Sequence, residues 1–249
     1  MKQITDAAAL LMAADALLKA GAAANALPDR AAWEREIAAG TLYGEEGPAG
    51  LLLLHRGGSF DRVQFLLHRD AVPEFAPERT TVVESPHRRG TEDLTARWKG
   101  FEPAMTRVRL TRPGGTCPVG DAPAAPDAAT ARRILAACFD PLTGCLPDEE
   151  TLTAALAEGR LLQKDGGVLH YTVSGRTAEL RHLAVLPACR GRGTAKKLVG
   201  AFLSQRGGGL CRVWTGADND IALHLYHSFG FAEDGWVSDV KIFRKDDTQ

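Results

Sequence analysis

Two segments of this 249-residue chain run in register with two later ones, in the same order. "LPDRAAWEREIAAGTLYG", from Leu27, aligns without a gap with "LPDEETLTAALAEGRLLQ", from Leu146. "VVESPHRRGTEDLTARWKGF" also aligns without a gap with "RVWTGADNDIALHLYHSFGF", the two ending on Gly100-Phe101 and Gly230-Phe231. Between these matches each half carries a glycine-bearing hairpin pattern, "GLLLLHRGGSFDRVQFLL" and "GVLHYTVSGRTAELRHLAV". Ordered self-similarity on this scale marks one supersecondary unit used twice. It restricts the fold to two α/β units of one design, against the competing reading of two unrelated α/β halves.

The halves are separated by "PGGTCPVGDAPAAPD", Pro113 to Asp127. Its four prolines and three glycines can neither hold a helix nor pair in a sheet. The expected organisation is therefore residues 1–112, a linker over 113–127, and residues 128–249. The first half is shorter where it matters. Between Asp70 and Gly100 there is no room for the Arg/Gly turn and following helix of the second half, and Arg89 and Ala96 stand where Asn219 and Tyr226 stand later. Any chemistry is expected in the second half.

There the periodicity predicts helices over about Ala128–Cys138 and Asp148–Ala157. Hairpin strands follow at Arg160–Leu162, Val168–Val173 and Glu179–Val185. A helix over Gly193–Ser204, a strand over Leu210–Thr215, a helix over Asn219–Phe229 and a strand over Val237–Arg244 complete the half. Strands alternating with helices make an α/β sheet covered on both faces. At the N-terminus, Leu10, Leu11, Ala14, Leu17 and Leu18 keep helical spacing, interrupted by Asp6 and Asp15, which reads as an amphipathic helix rather than a secretory signal.

"AVLPACRGRGTAKKLVGAF" carries the chemistry. A strand, a glycine-containing turn and a helix N-terminus together present unpaired backbone N–H groups and the positive end of a helix dipole, an arrangement suited to phosphate. Gly191 and Gly193 let the backbone approach a ligand, and Arg190 and Arg192 add charge-assisted hydrogen bonds. The nucleoside triphosphate pattern G-x-x-x-x-G-K-[ST] is absent, and "GRGTAK" fails the last position of G-x-G-x-x-G. What remains is V-x-P-x-x-R-G-x-G-x-A, from Val185 through Pro187, Arg190, Gly191 and Gly193 to Ala195.

That pattern resembles the acyl-coenzyme A pyrophosphate loop of the GNAT acetyltransferase superfamily, Arg/Gln-x-x-Gly-x-Gly/Ala, here Arg190, Gly193 and Ala195. The resemblance continues through Asn219, Ala222, Leu225, Tyr226 and Gly230-Phe231, and covers the first half as architecture only. It implies two tandem GNAT-like mixed-sheet units with helices on both faces, the first truncated and degenerate. It also implies an N-acetyltransferase using acetyl-CoA as acyl donor and no metal. The cofactor-binding set is then Leu183, Ala184, Val185, Arg190, Gly191, Arg192, Gly193, Thr194, Ala195 and Asn219. The tandem layout is similar to mycothiol-synthase-like double acetyltransferases.

The resemblance further implies direct transfer to an amine in a ternary complex, without a protein nucleophile. By position alone Tyr226 is a core aromatic on the stripe of Ala222, Leu225 and Phe229; the resemblance instead implies that it is the acid that protonates the departing thiolate. Glu179 is the candidate base for the amine, against the reading of an exposed carboxylate paired with Arg181. Strand alternation places Glu179, Arg181, Leu183 and Val185 on one face and His182, read as structural, on the other. Asn219 can cap its helix as well as contact the cofactor. His224 and His227 are three residues apart on a helix, but spacing suggests no third metal ligand. The competing function is a non-catalytic acyl-CoA-binding regulatory module, which would need the turn but neither Tyr226 nor Glu179.

Composition bounds the partners. Thirty Lys and Arg against 31 Asp and Glu provide no field for nucleic acid or an anionic membrane. Five cysteines with no C-x-x-C pair indicate neither a disulfide framework nor a zinc site, and fit a reducing, cytoplasmic compartment. The expected partner is a small-molecule or peptide amine, on a monomer or homodimer.

Overall fold

The computed structural model describes residues 1–114, 126–206 and 208–245. Most of the Pro/Gly-rich segment, residues 115–125 with Cys117, lies outside the described residues. In chain order the elements are β1 (Lys2–Gln3), α1 (Ala7–Lys19), β2 (Ala23–Ala24), α2 (Arg30–Ala38), β3 (Leu42–Gly47), β4 (Gly50–Arg56), β5 (Asp61–Leu67), β6 (Thr81–Arg88) and β7 (Phe101–Arg112). They continue with α3 (Ala128–Cys138), α4 (Glu149–Ala157), β8 (Leu161–Lys164), β9 (Gly167–Ser174), β10 (Thr177–Val185), α5 (Thr194–Arg206), β11 (Leu210–Gly216), α6 (Asp220–Ser228) and β12 (Ala232–Phe243).

The chain divides into two compact units: Met1–Thr106 with Val237–Gln249, and Arg107–Trp236. This differs from contiguous halves split at the linker. Backbone pairing decides the boundary: Arg107–Arg112 of β7 hydrogen-bond antiparallel to Gly216–Cys211 of β11, within the second unit. The first unit contains the last stretch of β12, where Ser238 donates to Glu84 (2.9 Å) and Lys241 pairs with Asp93 (2.6 Å). Pro and Gly mark where the chain cannot form a sheet, not which unit the flanking strands join.

In the first unit the strands run β1-β3-β4-β5-β6, with only β5 and β6 parallel among the pairs of this series. The run Leu51–Leu54 is buried on both faces. Leu51 and Leu53 join Leu10, Ala14 and Trp33 under α1 and α2, while Leu52 and Leu54 join Phe65, Trp98 and Phe101. No helix covers that second face among the described residues. Phe65, Phe75, Trp98, Phe101 and Phe243 cover it as a chain of ring contacts 5.5–6.2 Å apart. These aromatics stand in for the two helices the first half lacks, consistent with the large apolar area each can bury.

The second unit orders its strands β7-β11-β10-β9-β8, with β10 and β11 parallel. Helices α3 and α4 seal one face through Ala131, Leu135 and Leu152 against Leu161, Val168 and Ala184. Both are started by an Asp cap: Asp127 accepts from Thr130 N–H (2.8 Å) and Asp148 from Thr151 N–H (2.7 Å). Helix α5 covers the other face with buried Leu198, Val199, Phe202 and Leu203. No helix among the described residues is long and apolar enough to cross a membrane.

Candidate active site

β10 pairs in parallel with β11 only from Thr177 opposite Leu210 to Leu180 opposite Val213, although both strands continue. They separate beyond that point. Just there β10 carries a bulge: Leu180 faces Tyr171 of β9, but His182 faces His170, so one extra residue enters β10. The bulge corrects the expected facing of the site. Cross-strand partners share a face, and side chains alternate along each strand. Glu179 sits opposite Thr172, and His182 opposite His170, two alternate positions of β9, so these share the face of α3. Leu183 and Val185, opposite Leu169 and Gly167, share the face of Tyr171, whose ring meets Phe202 of α5 edge-on (5.0 Å). Strict alternation had joined Glu179 to Leu183 and Val185, and separated it from His182. The extra residue reverses both assignments.

After Val185 the chain turns sharply. Leu186 N–H donates to Gly166 C=O (3.0 Å), Pro187–Cys189 form one tight turn, and Arg190 Nε donates back to Val185 C=O (3.1 Å). Gly191 and Gly193 adopt φ of +77° and +75°, a region that resists any side chain. A Cβ at either would point into open space with nothing within 4 Å, so the backbone of this exposed turn is accessible to a ligand. α5 begins at the next residue. Thr194 is 2% exposed and packs so closely that a Cβ on Gly167 would meet its methyl at 2.7 Å. Its hydroxyl is buried with no hydrogen-bond partner. A polar atom left in that state costs about 1–3 kcal/mol unless a ligand satisfies it. The exposed glycine turn, the N–H groups of the first turn of α5 and the unpartnered Thr194 hydroxyl fit the diphosphate of an acyl-CoA.

Asn219 is exposed and caps α6, its side chain accepting from Ala222 N–H (3.1 Å). Its oxygen is thus committed to the helix. Tyr226 is 4% exposed on the inner side of α6, edge-on to Phe231 at 5.7 Å, and burial pushes its phenol pKa up. Its observed ring contact is with Phe231 rather than with another of the expected site residues. Glu179 is held by Arg181 (2.5 Å) and lies 3.7 Å from Arg212. Glu179 and Arg212, with Thr172, Ser174 and Thr177, line a pocket of about 230 Å³.

Sequence reasoning missed Arg212 and His170. Arg212 reaches Glu179 only because the parallel register sets them side by side. The rings of His170 and His182 lie nearly parallel (6°), with their Nδ1 atoms 3.4 Å apart. His182 Nε2 lies 3.0 Å from Gly144 C=O and must donate to it, so its Nδ1 is an acceptor and the His170 Nδ1 is the donor. Burial, above all, holds both imidazoles near a pKa of about 4 and therefore neutral. The pair pins the α3–α4 loop to the sheet at the bulge.

The same separation of parallel strands occurs in the first unit, but there the gap is filled. β5 and β6 pair only from Asp61 opposite Thr81 to Val63 opposite Val83. The Asn25 amide then bridges Val63 C=O (2.9 Å) and Glu84 C=O (3.0 Å), accepts from Phe65 N–H (2.7 Å), and β2 pairs with Leu66–Leu67. Extending the repeat alignment two residues back from Leu27 and Leu146 puts Gly144 opposite Asn25. Gly144 brings no side chain to fill a gap, and a Cβ there would meet Asp140 C=O at 2.7 Å.

The sequence profile of a family described as "Acetyltransferase (GNAT) domain" matches residues 148–233. Residues 148–233 of the second unit are similar to that domain. The fold likeness reaches further. A GNAT-family acetyltransferase from Colwellia psychrerythraea is 16% identical with a TM-score of 0.56, covering 98% of this chain and 99% of that one. A GCN5-related N-acetyltransferase from Sphaerobacter thermophilus is also 16% identical, TM-score 0.53, over 97% and 93%. At such identities the likeness is one of fold, and it takes in both units. A search among curated proteins finds no match. The similarity over residues 148–233 supports acyl-CoA-dependent acyl transfer in general.

Proposed function

We propose that the protein is an acyl-CoA-dependent N-acyltransferase that moves acetyl from acetyl-CoA directly to an amine, with the second unit catalytic. The observation that carries the reading is the glycine turn: two left-handed glycines around open space, next to a buried hydroxyl without a partner. Bound there, acetyl-CoA supplies a thioester, an activated acyl group that needs no protein nucleophile. Gly191, Gly193, Thr194 and the first N–H groups of α5 would hold its diphosphate. The backbone of Leu183–Val185, beyond the end of the parallel pairing, would orient its pantetheine arm.

Direct transfer is supported by the bulge. Glu179 lies on one face of the sheet and Leu183 and Val185 on the other, so donor and acceptor can approach from opposite faces. Proximity of that kind supplies much of the rate without covalent catalysis. Glu179 would take the proton from the amine, directly or through water. Tyr226, kept protonated by burial, would donate to the departing thiolate. The first unit acts as a partner rather than a second catalyst, its strand gap closed by Asn25. Release of free thiol from acetyl-CoA in the presence of an amine tests the reading. Acetyl-CoA binding without turnover on any amine would instead favour a non-catalytic binding module, and no acetyl-CoA binding by the folded protein would overturn both.

A further inference from the structure

Resting on that reading, we infer that the acceptor is an amine that also carries a carboxylate, an amino-acid-like molecule whose anionic group is received by Arg212. The pocket beside Glu179 is lined by Thr172, Ser174, Thr177, Glu179 and Arg212. The strand registers bring them to one face: Thr172 and Arg212 flank Glu179 on its two neighbouring strands, and Ser174 faces Thr177. Every lining residue is polar. The pocket, about 230 Å³ and open on one side, can admit a small molecule.

The charges in the pocket are incompletely matched. Glu179 is already held at 2.5 Å by Arg181. Arg212 approaches it only to 3.7 Å, beyond hydrogen-bond length, and the Arg212 Nε is buried with no partner. A guanidinium has a planar fork of donors suited to a carboxylate, and burying one unmet carries a free-energy cost. An acceptor carboxylate on Arg212 satisfies that donor and places its ammonium next to Glu179, the group proposed to deprotonate it. The three hydroxyls supply the remaining hydrogen bonds. A plain alkylamine would leave the Arg212 donor unmet.

The test pairs L-alanine with L-alaninamide, which keeps the amine and removes the negative charge, in the presence of coenzyme A. Binding is read by calorimetry, so the result does not depend on turnover. The expected result is that alanine binds at least about tenfold more tightly than its amide, and that Arg212→Gln abolishes the difference. Arg212→Lys, keeping the charge, should retain part of it and serves as a check that the fold survives substitution. Equal affinity for alanine and its amide, or no binding of alanine to the parent protein, overturns the inference. Acetyl-CoA titrated alone reports separately on the acyltransferase reading, which stands if acetyl-CoA binds while alanine does not.

Discussion

Acidification should weaken the second unit through His170 and His182. Burial is the largest cause holding each imidazole near a pKa of about 4 against the ordinary 6.5; for His170 the neighbouring His182 and Arg181 add to it. Free in the unfolded chain, both take protons near pH 6.5, whereas the folded pair resists until about pH 4. The unfolded state therefore binds more protons throughout that window, and stability falls as the pH is lowered through it. Each pKa unit is worth about 1.4 kcal/mol, so at about pH 5 each imidazole costs about 2 kcal/mol relative to neutrality, and the pair about 2–4 kcal/mol. The assay is urea denaturation between about pH 7.5 and 5, following the loss of β structure, in the parent and in His170→Gln/His182→Gln. Glutamine does not titrate, so the difference between the two pH profiles isolates the histidines. A parent profile parallel to that of the double variant would refute the argument, as would a parent that gains stability in acid.

Three further outcomes follow from the geometry. Tyr226→Phe should leave acetyl-CoA affinity unchanged and lower turnover by about 10²-fold or more, as expected for loss of a general acid, read from thiol release. Asn25→Ala removes the amide that bridges Val63 and Glu84 and should lower the stability of the first unit by about 1–3 kcal/mol in a denaturation assay. Gly167→Val should damage the cofactor turn from a distance: its side chain would collide with the Thr194 methyl, and acetyl-CoA titration should show weakened binding even though Gly167 lies in β9.

Much of the second unit is legible in its sequence because its signals are local. The α3 boundaries follow from an Asp cap and an apolar stripe, and the start of α5 from two glycines. The turn at Arg190–Thr194 is likewise legible, since its glycine conformation and helix start depend on neighbouring residues alone. Features that depend on pairing between distant strands are not. The bulge in β10 leaves no composition signal, yet it moves Glu179 to the face opposite Leu183. β12 begins at Ala232, five residues before the expected Val237, because Glu233 to Trp236 carry no strand-like alternation. The lodging of Asn25 between β5 and β6 is equally silent in the sequence, as is the placement of Arg212 beside Glu179 by parallel register.

The most direct test of the central claim is calorimetric titration of acetyl-CoA into the parent protein and into Gly193→Glu, with circular dichroism to confirm that both are folded. The substitution puts bulk and negative charge into the open space of the turn, at a backbone φ of +75°. The account predicts one acetyl-CoA per chain in the parent, because Asn25 closes the gap in the first unit, and no measurable binding in the variant. Two molecules per chain, or equal affinity in parent and variant, would contradict it.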